Sequence, residues 1–202
     1  MIVDYLVASS LYDFSTDLVV QELERRKSKY VRLNRENFES YRLTMDVNDA
    51  SLEVNMNGAN YRITADLKAV HYRQPVFLRN TPGESLSIDE QLSRSQWMGF
   101  LRSLAIFEKA RWMNPLGATY LAETKAYQLS TARKLGFKVP MTLIGNDFVR
   151  LQEIENKVII KSLDTVLLRD NSDCLFAYST VENSSELTDE NVSAVPLTVQ
   201  EY

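Results

Sequence analysis

The sequence predicts an α/β fold with a partly parallel sheet, followed by a second, α+β part. Three observations carry this prediction. A strand, a helix and a second strand follow one another within residues 2–33, and this connection builds parallel sheets. A long helical pattern covers residues 88–112. Beyond residue 136, short apolar runs alternate with polar segments, as expected where strands outnumber helices.

The opening strand-helix-strand unit follows from its apolar pattern. Residues 2–8 form a short apolar run that ends at Ser9, and this predicts a strand. Thr16 is the predicted N-cap of the next helix, because a threonine hydroxyl can accept a free backbone N–H bond. One face of that helix is expected to carry Leu18, Val19 and Leu23. Residues 30–33 then predict the second strand.

The middle of the chain predicts a hairpin, a strand and a long helix. Alternating segments begin at Tyr41, and Asn57-Gly58 between two of them is a two-residue hairpin signal. Residues 69–73 predict another strand, and Thr81-Pro82-Gly83 predicts a loop. The helix over residues 88–112 is expected to point five apolar side chains inward, namely Leu92, Trp97, Leu101, Leu104 and Phe107.

A domain transition is predicted at Asn114-Pro115-Leu116-Gly117, which interrupts the helical pattern. A second helical run covers residues 118–135 and ends at Gly136, a residue that commonly terminates helices. The strands predicted beyond it are Val139–Ile144, Lys157–Lys161, Cys174–Val181 and Leu197–Tyr202.

Composition and charge exclude several classes of function. The 202 residues are 45% hydrophobic, and 23 basic against 27 acidic residues give a net charge of -4. This balance gives no general attraction to nucleic acid or to anionic membranes. One cysteine and no long apolar run exclude internal disulfides and transmembrane helices. Without a secretory signal at Met1, the predicted location is the cytoplasm.

The residue pattern disfavours three kinds of site: a nucleophilic catalytic site, a metal site and a glycine-rich phosphate loop. His71 and Cys174 stand far apart without local signatures, so a Cys-His pair is disfavoured and an ordinary zinc site is excluded. No glycine-rich phosphate loop occurs among only 6 glycines. Catalytic residues therefore stay unassigned, and nucleotide binding, if it occurs, must use lysine side chains and strand backbone.

Three cations are candidates for binding, each with a plain structural alternative. Lys161 ends the apolar run Val158-Ile159-Ile160, where its ammonium can meet a phosphate or merely reach solvent. Lys125 lies near the start of a helix and has a surface lysine as its alternative. Arg73, at a strand end, can bind a peptide carboxylate through its planar guanidinium or brace the domain junction.

Six short motifs, in order along nearly the whole chain, resemble the ATP-grasp peptide maturases that crosslink microviridin-type graspetides. Each motif is weak by itself, and their order makes the resemblance specific. The motifs are Tyr72-Arg73-Gln74-Pro75, Trp112-Met113-Asn114-Pro115, Lys125-Ala126-Tyr127-Gln128-Leu129, residues 132–142 from Ala132-Arg133 to Met141-Thr142, Lys157-Val158-Ile159-Ile160-Lys161 and Val199-Gln200-Glu201-Tyr202.

The resemblance implies a domain plan and a cofactor. Residues 1–115 are expected to form a pre-ATP-grasp α/β domain, and residues 116–202 the first part of an ATP-grasp domain that stops at its hinge strand. Lys125 and Lys161 would bind the phosphates of ATP, and Gln200, Glu201 and Tyr202 would bind its adenine. Mg²⁺ is also implied, with ligands beyond the end of this chain. The chain by itself is then expected to be inactive.

The resemblance also implies a reaction and partners. A peptide carboxylate is activated by ATP as an acyl phosphate, and an alcohol or amine attacks it to give an ester or amide crosslink. The partner is a ribosomal precursor peptide with leader and core, and a homodimer through the helix over residues 88–112 is allowed. Two alternatives stay open: a non-catalytic peptide-binding or assembly module, and a ligase that adds amino acids to protein tails.

Overall fold

The computed structural model describes residues 1–73, 86–163, 167–170, 173–176, 179–190 and 194–202. Contacts divide the described residues into two compact units, the first reaching Tyr120 and the second beginning at Leu121. The domain boundary predicted after residue 115 stays a prediction. The predicted loop Thr81-Pro82-Gly83 and the motif residues Gln74-Pro75 lie outside the described residues. Across the described residues, no helix is both long enough and apolar enough to cross a membrane.

The described residues of the first unit form two sheets, two whole helices and the first residues of a third helix. Its elements in chain order are β1 (Tyr5–Ser9), α1 (Phe14–Arg25), β2 (Tyr30–Asn34), β3 (Arg42–Asp46), β4 (Ser51–Met56), β5 (Ala59–Ile63), β6 (Ala69–Tyr72), α2 (Ile88–Ser103) and β7 (Arg111–Met113). Short 3-10 turns cover Arg35–Ser40 and Leu104–Ile106.

The larger sheet of this unit has the strand order β2-β1-β6-β7, and every pair in it is parallel. β1 is continuously buried over Leu6, Val7 and Ala8, the pattern of a parallel strand covered on both faces. The predicted strand-helix-strand opening is confirmed, because β1 and β2 pair in register from Tyr5 opposite Tyr30.

The predicted start of α1 at Thr16 is wrong. Asp13 caps the helix instead, since its carboxylate accepts a hydrogen bond from the Ser15 backbone N–H. Thr16 lies in the first turn, is fully buried and turns its hydroxyl toward Asp13. Leu18, predicted on one face with Val19 and Leu23, is 69% exposed, whereas Val19 and Leu23 are partly buried.

The Asn57-Gly58 hairpin is confirmed. β4 ends at Met56 and β5 begins at Ala59, and the two turn residues have φ angles of 51° and 76°. Positive φ at both positions is what a type I′ turn requires, and it matches the twist of the strands. β3, β4 and β5 form a three-stranded antiparallel sheet.

The long helix predicted over residues 88–112 ends early. A Ser87–Glu90 capping box starts α2, which stops at Ser103, and Trp112 lies in β7 opposite Val70. Strand pairing overrides the helical pattern here, and the Trp112 indole N–H donates to the Phe107 carbonyl at 3.0 Å. Of the predicted inward side chains, Leu92 is 57% exposed, Trp97 packs at the edge of the core, and three are buried: Leu101, Leu104 and Phe107.

The described residues of the second unit form a four-stranded sheet, a two-stranded sheet and short helices. α3 (Leu116–Glu123) spans the division between the units, and then follow α4 (Lys125–Lys134), β8 (Thr142–Gly145), α5 (Phe148–Leu151), β9 (Lys157–Lys161), β10 (Leu167–Asp170), β11 (Asp173–Phe176), β12 (Thr180–Asn183) and β13 (Leu197–Glu201). A 3-10 turn covers Ser184–Glu186. The four-stranded sheet has the order β12-β9-β13-β8 with antiparallel pairs, and β10 pairs with β11.

Two predictions for this unit need correction. The helical run over residues 118–135 is two helices, because the chain leaves helical geometry at Thr124, which has ψ 112°. The predicted strand over residues 174–181 is two strands, since β11 ends at Phe176 and β12 begins at Thr180. The helix end at Gly136 is confirmed, with a φ of 87° that favours glycine.

Candidate functional site

The two faces of the β12-β9-β13-β8 sheet differ in chemistry. Side chains alternate between the faces, so opposite residues in paired strands share a face. One face is packed as a small apolar core that includes Val158 and Val199. The other face presents polar side chains on three neighbouring strands, namely Thr142 of β8, Lys161 of β9, and Thr198 and Gln200 of β13. We call this second face the polar face.

A chain of hydrogen bonds crosses the polar face. The Lys161 ammonium donates to the Gln200 side-chain oxygen at 2.8 Å, and the Gln200 amide donates to the Thr142 hydroxyl at 2.9 Å. The Thr142 hydroxyl donates in turn to the Pro140 carbonyl at 3.0 Å. The donor and acceptor of each bond are therefore fixed, because an ammonium can only donate and so must face the amide oxygen of Gln200. The chain holds the Lys161 charge in one position on the sheet.

Among the described residues, two polar groups of this face make fewer hydrogen bonds than they can. An ammonium has three donors, and Gln200 is the one described partner of Lys161. Thr198 lies directly opposite Lys161 and is 4% exposed, yet its hydroxyl has no partner within the described part of the chain. A buried hydroxyl without a partner is costly. The remaining donors of the Lys161 ammonium suit an anionic ligand with several oxygens.

A cavity of about 780 Å³ opens between α4 and β8. Its volume is in the range of small-molecule sites. Apolar side chains such as Phe137 and Ile144 line it together with the cations Arg133 and Lys138. Thr142 belongs both to this lining and to the hydrogen-bond chain, so the cavity adjoins the polar face.

The structure brings together some of the predicted nucleotide residues and separates others. Lys161 and Gln200 are in direct contact. Glu201 follows Gln200 and lies on the opposite face, where its carboxylate accepts from the Met141 N–H at 3.3 Å. Tyr202 is 72% exposed. Lys125 is the first residue of α4 and is exposed. No acidic residue lies in that first turn, so the positive potential of the helix N-terminus adds to that of the lysine.

Arg73 belongs to the first unit and contacts an acid of its own chain. Its Nε lies 2.9 Å from the Asp13 carboxylate, which also accepts from Ser9 and Thr16. Although burial raises it, hydrogen bonds from Thr16, Arg73 and Ser9 lower the pKa of Asp13 to about 2. His71, which contacts Thr16 at 3.2 Å, is half-buried, and burial lowers its pKa.

Sequence reasoning missed Thr142 and Thr198 as members of the site. Thr142 was quoted within a motif, but its contact with Gln200 joins residues 58 apart in sequence. Thr198 lies two residues before Gln200, so the strand period places both on one face. That signal becomes usable once the strand register is known. Among the described residues, no group of three or more His, Cys, Asp and Glu side chains could hold a metal ion.

Comparison with solved structures identifies the fold. The chain is similar to the RiPP-associated ATP-grasp ligase of Chryseobacterium gregarium, solved with ADP and a leader and core peptide, at TM-score 0.76 and 19% identity. The match covers 98% of this chain and 62% of that one. Macrocyclase MdnC of Microcystis aeruginosa, solved with precursor peptide MdnA, has TM-score 0.76 and 20% identity over 100% of this chain and 68% of its own.

A third structure agrees with these two. ATP-grasp ligase PsnB, solved with a minimal precursor, has TM-score 0.69 and 20% identity, with 99% of this chain and 64% of that one covered. This chain therefore spans about two thirds of the length of the ligases it resembles. Neither a protein-family model nor a curated protein sequence matches the chain. The predicted fold class is confirmed, and the chain has the fold of the RiPP-associated ATP-grasp ligases, as its six motifs indicated.

Proposed function

We propose that this chain is the front portion of an ATP-dependent ligase that crosslinks a ribosomal precursor peptide in the cytoplasm. The observation that carries the proposal is the Lys161-Gln200-Thr142 chain beside the 780 Å³ cavity. An ammonium held in one position suits the oxygens of a phosphate, and the apolar side chains that line the cavity suit a planar base. The solved ligases of the same fold carry ADP or precursor peptides.

The reaction we propose joins two side chains of one peptide. The peptide carboxylate accepts the terminal phosphoryl group of ATP as an acyl phosphate, and an alcohol or amine then displaces phosphate and loses its proton, giving an ester or amide. Mg²⁺ bound with the nucleotide supplies charge neutralisation in such transfers.

The residues of this chain have separate tasks in that reaction. Lys161, oriented by Gln200, stabilises negative charge on the phosphate oxygens. Lys125 adds a second positive charge at the start of α4. Gln200, Glu201 and Tyr202 form the adenine side at the end of β13, with Glu201 acting near the Met141 backbone rather than on the polar face. Arg73 binds a carboxylate of the peptide.

Calorimetric titration of ATP into the chain, with and without Mg²⁺, tests the nucleotide site. Lys161→Ala is expected to raise Kd about tenfold or more, because a charge-assisted phosphate contact contributes on the order of 1.5–3 kcal/mol. Lys157→Ala is the matched control, since Lys157 is an exposed lysine at the other end of the same strand. Its Kd should stay within about threefold of wild type.

Three outcomes separate the alternatives. Equal losses in Lys161→Ala and Lys157→Ala would show that general positive charge, and not the fixed ammonium, attracts ATP. Absence of ATP binding to the wild-type chain, together with capture of a precursor peptide, would replace the ligase with the peptide-binding module. Binding of ATP that depends on Lys161 supports the nucleotide site.

A further inference from the structure

The antiparallel sheet of the first unit differs at its two edges. The start of the chain covers the β5 edge, where the Val3 N–H donates to the Arg62 carbonyl at 3.0 Å and the Arg62 N–H donates to the Met1 carbonyl at 2.8 Å. At the other edge, β3 pairs with β4 on one side, and its second side has no strand beside it within the described residues. An open edge of this kind is a template for pairing with another strand.

The charges of β3 are complementary to themselves. Arg42 and Asp46 are its charged residues, and they stand at opposite ends, equally far from the central Thr44. If two copies of β3 pair antiparallel about a twofold axis at Thr44, each Arg42 lies opposite Asp46 of the other copy. Opposite charges in facing positions stabilise a strand pair, whereas like charges destabilise it.

The edge strands of the parallel sheet in the same unit lack this property. Pairing β2 with itself about its centre would set Arg32 against its own copy. β7 has one charged residue, Arg111, so it offers no opposite charge to a second β7. Charges on edge strands commonly prevent pairing. In β3 they have opposite signs and favour one register instead.

The same register also matches the two faces of the sheet. Side chains alternate between faces along a strand, and facing residues in paired strands share a face. Leu43 and Met45 are partly buried and pack against the core of the first unit. In the twofold pairing, Leu43 lies opposite Met45 of the other copy. Apolar side chains therefore meet on one face, and opposite charges meet on the other.

Both charged side chains are held in place but lack an ion-pair partner. Nη1 of Arg42 donates to the Tyr41 carbonyl at 3.2 Å, and Oδ1 of Asp46 accepts from the Asn48 N–H at 2.9 Å. Among the described residues, neither forms a salt bridge. Arg62, whose charge acts on Asp46, lies on β5 and is not within salt-bridge distance. Side chains fixed before association lose less entropy on pairing.

We propose that β3 pairs antiparallel with β3 of a second copy of the chain, which joins their two sheets into one sheet across a twofold axis at Thr44. Charge complementarity selects this occupant, because another strand would need the same spacing of opposite charges. The proposal goes beyond the ligase reaction, and it places a homodimer contact on β3 and not on the helix predicted over residues 88–112. A contact made by five residues of each copy is small, so the dimer is weak and reversible.

Sedimentation velocity over a concentration series tests the contact. The wild-type chain should show a monomer-dimer equilibrium. Arg42→Glu should raise the dimer Kd about tenfold or more, because both facing pairs become like-charged, and Asp46→Lys should do the same. Combining Arg42→Glu with Asp46→Lys exchanges the charges and should restore Kd to within about threefold of wild type. Arg111→Glu, at an exposed arginine of β7, makes the same change of charge as Arg42→Glu and should leave Kd unchanged.

An engineered disulfide checks the register. Cys174→Ser removes the one cysteine of the chain and serves as the background. In it, Thr44→Cys should form a disulfide-linked dimer on mild oxidation, because facing residues of an antiparallel pair have Cα atoms about 4.5–5.5 Å apart. Glu53→Cys, exposed on the same face of the central strand β4, should stay unlinked. Thermal unfolding of each variant checks that the fold is retained.

Three results would overturn the proposal. The first is a wild-type chain that stays monomeric at every concentration. The second is equal weakening by Arg42→Glu and Arg111→Glu, which would indicate general charge repulsion. The third is a dimer that Arg42→Glu leaves intact and Leu92→Ser, at an exposed leucine of α2, dissociates, which would assign the contact to α2. These measurements use no nucleotide, so failure of ATP to bind counts against the proposed ligase alone.

Discussion

At the residue scale, one largely enclosed carboxylate joins three elements at the carboxyl edge of the parallel sheet. Asp13 caps α1, accepts from the hydroxyls of Ser9 and Thr16 and pairs with Arg73. Such a carboxylate is stabilised in its charged form by hydrogen bonds and by the neighbouring cation. It joins β1, α1 and β6 through side chains that come from distant parts of the sequence.

This network makes the stability of the first unit sensitive to acid. The folded-state pKa of Asp13 is about 2, against an ordinary value of 3.8. Because the folded-state pKa is lower, ionised Asp13 adds about 2 kcal/mol to the free energy of unfolding. This contribution is complete above about pH 4 and is lost as the pH falls from about 4 toward 2. Asp13→Asn should lower the free energy of unfolding by about that amount at pH 7.

Urea unfolding at pH 7, 4 and 2.5 measures this effect. The difference in unfolding free energy between wild type and Asp13→Asn should shrink as the pH falls. Asp49→Asn, at an exposed aspartate of the same unit, serves as the control and should stay close to wild type at each pH. A difference for Asp13→Asn that is constant with pH would show that the charge of this carboxylate does not stabilise the fold.

At the scale of elements, local turn chemistry and strand pairing decide where segments begin and end. The β4-β5 hairpin is specified by two residues with positive φ, and no described neighbour crowds Gly58. By contrast, the end of α2 is set by pairing of β7 with β6, because the helical pattern itself runs on to Trp112. Short elements depend on partners more than long ones do.

The hairpin gives a prediction with a control of opposite sign. Gly58→Ala should destabilise the first unit by about 1 kcal/mol, because alanine is strained at a φ of 76° although space is available. Gly99→Ala lies in the interior of α2, also in open space, and should stabilise by up to about 1 kcal/mol. Chemical unfolding of the two variants measures both changes, and equal effects would refute the turn assignment.

At the scale of the whole molecule, two hydrophobic clusters without common members support the two units. The first includes Leu6, Leu33 and Phe107, and the second includes Leu151 and Val158. Each unit therefore has its own apolar core, and in the second unit that core lies on one face of the β12-β9-β13-β8 sheet and the polar face on the other. An apolar core on one face and polar side chains on the other face is a common arrangement in antiparallel sheets.

Separate clusters predict separate responses to mutation. Leu151→Ala should cost about 2–5 kcal/mol and lower hydrogen-exchange protection in β8, β9 and β13. Phe107→Ala should cost about 3–5 kcal/mol and lower protection in β1, β2 and β6. Exchange measured by mass spectrometry on both variants distinguishes the two patterns. Equal loss of protection in both sheets from either variant would show one cooperative unit instead.

Parts of the fold were determined by the sequence itself, because they depend on neighbours along the chain. The strand-helix-strand opening follows from apolar periodicity, the hairpin from Asn57-Gly58, and the helix end from Gly136. The position of Lys161 at the end of β9 was also predicted, because this charged residue follows the apolar run Val158-Ile159-Ile160. These signals are local, and the structure confirms the elements that they predict.

Other features were decided by tertiary structure, because they join residues that are distant in sequence. Asp13 replaces Thr16 as the helix cap while contacting Arg73, 60 positions later. Thr142, Lys161 and Gln200 meet through the register of three strands, and the same register sends Glu201 to the other face. Register is set by packing of the apolar face, so no single segment contains the information that assembles the site.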